Sequence, residues 1–181
     1  MRIVAGLYGG RRIAAPPGDT TRPTSDRVRE ALFSVLGPLD GQVVLDLFAG
    51  SGALGLEALS RGAARAAFVE RDRRALQALR ANITALGLAE GQAIVRPGDA
   101  TRLARDAVAR AEAYDLVFLD PPYRLAAGLG AALGATLAGL LAAGARVVTE
   151  SDRRAPMELT DLSLTQERRY GDTVIRIHTH T

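Results

Sequence analysis

The sequence of 181 residues contains no cysteine, and only 4% of its residues are aromatic. Without cysteine the chain cannot form disulfides, thiolate metal sites or iron–sulfur clusters, and it has no thiol nucleophile. Lysine is also absent, so all 23 basic residues are arginine. Together with the frequent alanine and glycine, this usage indicates a GC-rich coding sequence rather than a function. The chemistry of the protein must therefore come from groups other than thiols and amines.

The length predicts one domain with a substantial core, made of an N-terminal hairpin extension over residues 1–18 and a core over residues 19–181. The hydrophobic fraction of 48% and the charged fraction of 24% are typical of a soluble globular protein. The net charge of +3 permits a polyanionic partner. Arginine, which grips phosphate in a two-pronged manner, is concentrated in two stretches near the start. These stretches contain Arg2, Arg11 and Arg12, and then Arg22, Arg27 and Arg29.

One segment imitates a membrane span. The run from Leu125 to Ala145 has no charge and contains Gly130 and Gly134 in GxxxG spacing. Its apolar residues are mostly alanine and glycine, which gain little from lipid, and it falls between two predicted strands. We therefore expect a crossover helix and no membrane span. The start of the chain lacks the pattern of a signal peptide, which favours a cytoplasmic protein.

The remaining pattern alternates strands with helices, which predicts an α/β fold with a mostly parallel sheet. Its last two strands, at about 159–168 and 172–179, form an antiparallel C-terminal hairpin. His178 and His180 point to one face of the last strand, where we expect a frayed end rather than a metal site. The other predicted elements are a hairpin of 2–7 and 11–15 turned at Gly9-Gly10, helices at 25–36, 53–61, 73–86 and 100–111, and strands at 43–47, 66–70, 92–96, 115–119 and 145–150.

The most informative motif is Asp120-Pro121-Pro122-Tyr123, which follows an uninterrupted apolar strand. Proline fixes its own φ and pushes the preceding residue toward extended geometry, so this strand ends in a stiff loop. Open α/β sheets bind their ligands at such carboxyl ends. The carboxylate of Asp120 and the carbonyl of Pro121 are acceptors, and Tyr123 offers a ring for stacking. The loop suits a planar base with an exocyclic NH2 group, although a proline-stiffened turn with a packed tyrosine explains it too.

A second motif, Gly50-Ser51-Gly52-Ala53-Leu54-Gly55, matches the GxGxxG pattern of dinucleotide sites. Asp46, however, ends the preceding strand and would face a bound pyrophosphate. Two like charges about 4 Å apart cost on the order of 4 kcal/mol at an effective dielectric of about 20. S-adenosylmethionine instead carries an ammonium and a sulfonium, which a carboxylate attracts. Glu70 would then accept the ribose hydroxyls and Asp99 the adenine amine, unless these acids only cap helices.

The two motifs together predict an amino-methyltransferase. Acceptors on an exocyclic amine oppose the spread of its lone pair into the ring and stabilise the charge that develops during attack on a methyl carbon. The base must be unstacked to reach the loop. These residues alone leave open adenine, cytosine or guanine, and DNA or RNA. An NAD-dependent oxidoreductase and a non-catalytic ribosome-binding module are the alternatives from other classes.

Two longer segments resemble the RsmD family, which methylates guanine N2 in small-subunit ribosomal RNA. They are Thr21-Arg22-Pro23-Thr24-Ser25-Asp26-Arg27-Val28-Arg29-Glu30-Ala31-Leu32-Phe33 and Leu45-Asp46-Leu47-Phe48-Ala49-Gly50-Ser51-Gly52. The opening Met1-Arg2-Ile3-Val4-Ala5-Gly6 and the closing Tyr170-Gly171-Asp172-Thr173 fit the same pattern.

The resemblance implies a class I methyltransferase (Rossmann-like) fold, S-adenosylmethionine as cofactor and no metal. It implies that the partner is 16S ribosomal RNA within the small subunit. For the oligomeric state, which the motifs do not address, we take a monomer as the default expectation. The implied catalytic residues are Asp120, Pro121, Pro122 and Tyr123. The implied cofactor residues are Asp46, Phe48, Ala49, Gly50, Ser51, Gly52, Glu70, Arg71, Asp99 and Ala100. The implied RNA contacts are Arg11, Arg12, Arg22, Arg27 and Arg29.

Overall fold

The computed structural model describes residues 1–15 and 26–180. The strands in this part of the chain are β1 (Val43–Asp46), β2 (Arg65–Glu70), β3 (Ala93–Pro97), β4 (Tyr114–Leu119), β5 (Leu141–Asp152), β6 (Ser163–Tyr170) and β7 (Thr173–Thr179). The helices are α1 (Asp26–Leu36), α2 (Ala53–Ser60), α3 (Arg73–Leu86), α4 (Ala100–Ala109) and α5 (Tyr123–Ala138).

These strands form one sheet in the order β3-β2-β1-β4-β5-β7-β6. Strands β1 to β5 are parallel, and β7 is antiparallel to both β5 and β6. Apolar clusters cover both faces: one joins the sheet to α1, α2 and α3, and the other joins it to α4 and α5. The predicted α/β class and the antiparallel C-terminal hairpin are therefore confirmed.

The order of the strands fixes where a ligand fits. From β1 the chain moves outward to β2 and β3, and then returns to place β4 on the other side of β1. In open α/β sheets such a reversal leaves a crevice at the carboxyl ends of the two strands. The carboxyl ends of β1 and β4 carry the glycine motif and the Asp-Pro-Pro-Tyr motif, so the topology brings the two predicted motifs together.

The uncharged alanine- and glycine-rich run divides between two elements. Helix α5 takes its first part, and β5 begins at Leu141, four residues before the predicted strand. A methyl group on Gly130 would lie 2.0 Å from the carbonyl oxygen of Glu158, and one on Gly134 would lie 2.8 Å from Asp161 Oδ2. The GxxxG spacing thus serves the close approach of another segment of the protein. Among the described residues, no helix combines the length and hydropathy needed to cross a bilayer.

The C-terminal strand is not frayed, contrary to our expectation. Strand β7 lies between β5 and β6, and its residue His178 is only 1% exposed. Burial lowers the pKa of this imidazole. The sequence pattern missed this because a strand at the end of the chain can still be interior when the preceding strand folds back over its edge.

The N-terminal hairpin is much shorter than predicted. Backbone pairing is limited to residues 1–3 and 10–13, around a bridge between Arg2 and Arg12, and the turn extends over residues 5–10. The amides of Val4 and Ala5 donate to the carboxylate of Glu57, at 2.7 and 3.1 Å, rather than across a ladder. The segment of residues 1–15, which we call the N-terminal strap, is therefore held by helix α2 as well as by its own pairing.

Candidate functional site

The candidate site lies where β1 and β4 end side by side. Asp46, the last residue of β1, is in register with Phe118 of β4, two positions before Asp120. Asp120, Pro121 and Pro122 form a three-residue connection, and α5 begins directly after it with Pro122 as its N-cap. Asp120 is half-buried and Pro121 is buried. The side chain of Tyr123 lies outside the described part of the structure, so its predicted stacking role stays a prediction.

Asp46 is the most perturbed carboxylate of the site. Its side chain is 1% exposed, and Oδ2 accepts a hydrogen bond of 3.2 Å from the amide of Gly55. Among the described residues, Oδ1 has no hydrogen-bond partner although it is buried. The pKa of Asp46 is raised to about 7, mainly by burial; the backbone amides of Gly55 and Phe48 lower it, and the charge of Glu70 adds a smaller increase. A buried, half-satisfied carboxylate of this kind favours a cationic partner.

The glycine loop connects β1 to α2 and includes Phe48, Ala49, Gly50, Ser51 and Gly52. Gly50 has a φ of +54°, and a methyl group on it would meet open space, so the backbone is accessible there. A methyl group on Gly52, whose φ is +90°, would lie 2.5 Å from Leu79. One on Gly55 would lie 2.3 Å from the ring of Phe68. The first glycine thus leaves room for a ligand, and the other two allow close packing.

Glu70 connects the end of β2 to this loop. Its Oε2 accepts from the amide of Gly50 at 2.8 Å, and its Oε1 accepts from the amides of Arg71 and Asp72 at 2.7 Å. Arg71 itself is exposed. A carboxylate has about four acceptor positions, so these bonds leave capacity for a ribose hydroxyl. The protein holds Glu70 in place at the edge where the sequence predicted it to bind.

Asp99 has the capping role that the sequence left as an alternative. Its Oδ1 accepts from the amide of Arg102 at 3.1 Å and from the hydroxyl of Thr101 at 2.6 Å, at the start of α4. These hydrogen bonds lower the pKa of Asp99. The side chain is exposed and follows β3, next to buried Ala100. Capping and contact with an adenine amine are compatible because the cap engages one of its two oxygens.

The predicted RNA-facing arginines divide into four groups. Arg12 and Arg27 are exposed. Arg11 is exposed too, but its guanidinium donates to the carbonyls of Leu86, at 3.1 Å, and Ala85, the last residues of α3. Arg22 lies outside the described residues.

The prediction that Arg29 contacts RNA is wrong. Its side chain is 0% exposed and donates to the carbonyl of Arg2 and, at 2.9 Å, to Asp26. A buried guanidinium that joins α1 to the N-terminal strap does not present itself to RNA. Arginines that are close in the sequence of a helix do not all lie on one surface, because each side of the helix faces a different part of the protein.

The sequence reasoning missed a set of buried polar side chains that bind the N-terminal strap to the site. Asn82 of α3 accepts from the amide of Ala14 at 2.8 Å and donates to the carbonyl of Ser51 in the glycine loop at 2.9 Å. Ser60 accepts from the amide of Tyr8 at 2.9 Å, and Glu57 is completely buried. The sequence does contain one indication of these contacts: Glu57 lies among the apolar residues of α2, and a buried glutamate requires a hydrogen-bonding partner.

A second polar cluster lies at the opposite edge of the sheet. Glu112 accepts from Arg96 at 2.6 and 2.9 Å and from the hydroxyl of Tyr114 at 2.5 Å, beside a cavity of about 150 Å³. Burial raises the pKa of Glu112, but these hydrogen bonds together have a larger effect and lower it to about 2. The cluster is internally satisfied and far from β4's carboxyl end. No group of three metal-ligating side chains occurs within the ranges 1–15 and 26–180.

Comparison with known proteins agrees with this arrangement. A family model described as "Conserved hypothetical protein 95" matches residues 1–179. The chain is 40% identical over 184 residues to "Putative rRNA methyltransferase YlbH" of Bacillus subtilis, covering 98% of both proteins. It is 44% identical over 126 residues to "Ribosomal RNA small subunit methyltransferase D" of Escherichia coli, covering 68% of this chain and 61% of that protein.

Solved structures agree as well. The structure titled "Putative methyltransferase yhhF from Escherichia coli" superposes with a TM-score of 0.83 at 38% identity, covering 99% of this chain and 97% of that one. More distant methyltransferases of the same fold have been solved with S-adenosyl-L-homocysteine. The chain therefore belongs to the conserved hypothetical protein 95 family, which contains the RsmD methyltransferases that its motifs resemble.

Proposed function

We propose that this protein transfers a methyl group from S-adenosylmethionine to the exocyclic N2 of a guanine in 16S ribosomal RNA within the small ribosomal subunit. One observation carries the proposal: the half-satisfied carboxylate of Asp46 and the Asp-Pro-Pro loop end two adjacent strands, in register, at the reversal point of the sheet. A cofactor site and an amine-binding loop are therefore neighbours. The names of the relatives supply the substrate class, ribosomal RNA.

The residues of the site fit the proposed cofactor. When bound, S-adenosylmethionine supplies an electrophilic methyl group on a positively charged sulfur. Asp46 has an unsatisfied buried oxygen, which a cationic ligand stabilises and a diphosphate repels. Gly50 leaves its backbone accessible, and Glu70 and Asp99 offer acceptors along the same edge. This distribution of charge argues against the NAD site that the GxGxxG pattern alone would indicate.

The loop after β4 holds the acceptor amine. The carboxylate of Asp120 and the carbonyl of Pro121 accept the hydrogens of the amine, which keeps its lone pair from spreading into the ring and favours the charge that develops on nitrogen. The prolines before α5 fix the backbone around these acceptors, so little reorganisation accompanies base binding. The same two acceptors would hold the amine of adenine or cytosine, which makes an adenine-N6 or cytosine-N4 methyltransferase the alternative.

The nucleoside product separates these possibilities. We would incubate the protein with methyl-labelled S-adenosylmethionine and small subunits from a strain that lacks it, and analyse the digested RNA by mass spectrometry. N2-methylguanosine in the small-subunit RNA is the expected product. N6-methyladenosine or N4-methylcytosine would overturn the base assignment. Calorimetry with NAD tests the remaining class, since binding of NAD without binding of S-adenosylmethionine contradicts the cofactor.

A further inference from the structure

A buried carboxylate on β5 lies level with the base-binding loop. Glu150 is 7% exposed. Strands β4 and β5 pair Phe118 with Val148 and Leu119 with Thr149, so the next level of the two chains brings Asp120 beside Glu150. Neighbouring strands are about 5 Å apart. Asp120 of the loop after β4 and Glu150 of β5 therefore lie on neighbouring segments at the edge where the base is expected.

Alternation along the strands shows which way Glu150 faces. Val148 and Phe118 belong to the apolar cluster under α1, α2 and α3, and Glu150 follows Val148 by two residues, so it faces the same side. Asp46 is in register with Phe118 and accepts from Gly55 of α2, on that side as well. Asp46 and Glu150 therefore stand on one face, on either side of the strand that leads to Asp120.

A buried glutamate needs a reason, because an apolar residue at this place in β5 would pack without desolvating a charge. Glu150 already has an interaction within the protein. A carboxylate has about four acceptor positions, so it can accept from a protein group and from a ligand at the same time. Its neighbour, the Asp-Pro-Pro loop, explains how an amine is held, but an exocyclic amine is common to adenine, cytosine and guanine. The selection of one base requires a group that reads the position next to the amine.

That position distinguishes guanine. On its Watson–Crick edge, the amine at C2 is followed by N1–H, a second donor. In adenine and cytosine the ring nitrogen next to the amine is an acceptor. An ionised carboxylate beside the amine site thus attracts guanine and repels the lone pair of the other two bases. We propose that Glu150 accepts the N1–H of the target guanine and is the residue that selects guanine over other bases that carry an amine. The inference rests on the proposed guanine-N2 activity.

The test replaces the target guanine by 2-aminopurine in reconstituted small subunits. This analogue keeps the amine at C2 but has an unprotonated acceptor at N1. For the wild type we expect kcat/KM to favour guanine by on the order of 100-fold, since a ligand that cannot donate to the buried carboxylate leaves it without a partner. Glu150→Gln keeps the size of the side chain, and its amide donates to the N1 of 2-aminopurine. We expect it to narrow the preference at least tenfold.

The matched control is Asp152→Asn, the same chemical change two residues further along the same face of β5. Asp152 is half-buried and accepts from the amide of Arg154 in the following turn. It should leave the preference unchanged. Thermal melting and S-adenosylmethionine binding check that each variant is folded. A second variant, Glu150→Asp, withdraws the carboxylate by one methylene and keeps the test possible if Glu150→Gln does not fold. The withdrawn carboxylate should also narrow the preference, through a higher KM for guanine.

Each outcome decides a separate question. A preference for guanine that is unchanged in both Glu150 variants overturns the inference, even if total turnover falls, because a purely structural role lowers both substrates together. An equal loss of preference in Asp152→Asn overturns it too, since general loosening of β5 would then explain the effect. If the wild type transfers no methyl group to guanine in small subunits, the proposed function itself is wrong.

Discussion

At the scale of single residues, the protonation of Asp46 links cofactor binding to pH. Its pKa of about 7 means that the cofactor-free site is largely protonated in mild acid. A cationic ligand requires the ionised form, so binding below that pH must release a proton. The same burial that makes Asp46 a poor acid without ligand makes it a strong attractor of positive charge in the low dielectric of the core.

We expect the affinity for S-adenosylmethionine to increase between pH 5 and 7 by up to about tenfold per pH unit and then to level off. Titration calorimetry in buffers of different ionisation enthalpy should detect proton release at the acidic end. Asp46→Asn should bind weakly and without this pH dependence. Asp99→Asn is the control. Because the pKa of Asp99 is lowered, this carboxylate stays ionised over the whole range, so the variant should keep the pH dependence of the wild type. An affinity of the wild type that does not change with pH would contradict the linkage.

The same shift has a consequence for the cofactor-free protein. The native state holds a proton on Asp46 up to a pH of about 7, whereas in the unfolded state the carboxyl loses it near its ordinary pKa of 3.8. The contribution of this group to stability is therefore complete below that lower value and is lost as the pH rises through 7. Denaturant titrations should show a smaller decrease of the free energy of unfolding between pH 4 and 7 in Asp46→Asn than in the wild type.

Asp120 acts on turnover rather than on cofactor binding. Removing one preorganised acceptor typically lowers kcat by about 10²–10³, so Asp120→Ala should show this loss while its affinity for S-adenosylmethionine stays within a factor of about two. Asp106→Ala, on α4 and half-buried, is a control for the removal of one negative charge. Full activity of Asp120→Ala in single-turnover methyl transfer would show that the loop does not hold the reacting amine.

At the scale of elements, the N-terminal strap and the glycine loop share one support. Asn82 bonds both to Ala14 in the strap and to the carbonyl of Ser51 in the loop, and Ile3 and Ile13 are buried in the core below. The strap is thereby part of the cofactor edge of the protein rather than an independent appendage. We therefore expect a change in the strap to alter the glycine loop through the side-chain amide of Asn82.

Asn82→Ala tests this coupling. The variant removes the partner of the amide and carbonyl of Ala14 and of the buried carbonyl of Ser51, which should lower the free energy of unfolding by about 1–3 kcal/mol. Hydrogen exchange should show faster exchange at Ala14 than in the central strands, together with weaker binding of S-adenosylmethionine. Gln77→Ala, at an exposed position on the same helix, should leave the stability, the exchange at Ala14 and the binding of S-adenosylmethionine unchanged. Unchanged exchange at Ala14 would refute the coupling.

At the scale of the whole molecule, the positive charge is distributed over opposite sides of the sheet. Arg12 and Arg27 are exposed on the strap and on α1, whereas Arg105 lies on α4, across the sheet, and Arg65 begins β2 at the amino edge. If the RNA lies over the carboxyl edge and the strap, only the first pair contributes to binding. Net charge alone cannot make this distinction, since both pairs are arginines exposed to solvent.

We therefore expect Arg12→Ala combined with Arg27→Ala to weaken RNA binding and to reduce the slope of log affinity against log salt concentration by about 1.5. The charge-matched pair Arg65→Ala with Arg105→Ala should leave the slope close to that of the wild type. Filter binding or fluorescence anisotropy with small-subunit RNA over a salt series measures both. Equal slopes for the two double variants would mean that the strap and α1 are not the RNA-facing side.

The sequence alone determined the local features: the order of strands and helices, the stiff Asp-Pro-Pro connection, the glycine loop and the acids that end β1, β2 and β3. These depend on dihedral preferences and short-range periodicity, which neighbouring residues carry. Only the tertiary structure decided that Arg29 is buried, that Glu57 accepts from the amides of Val4 and Ala5, and that Glu150 lies beside Asp120. The reason is distance along the chain: Glu57 is 53 residues from Val4, and Asn82 is 68 residues from Ala14. The burial and partners of a polar side chain are set by such remote contacts, which no local pattern contains.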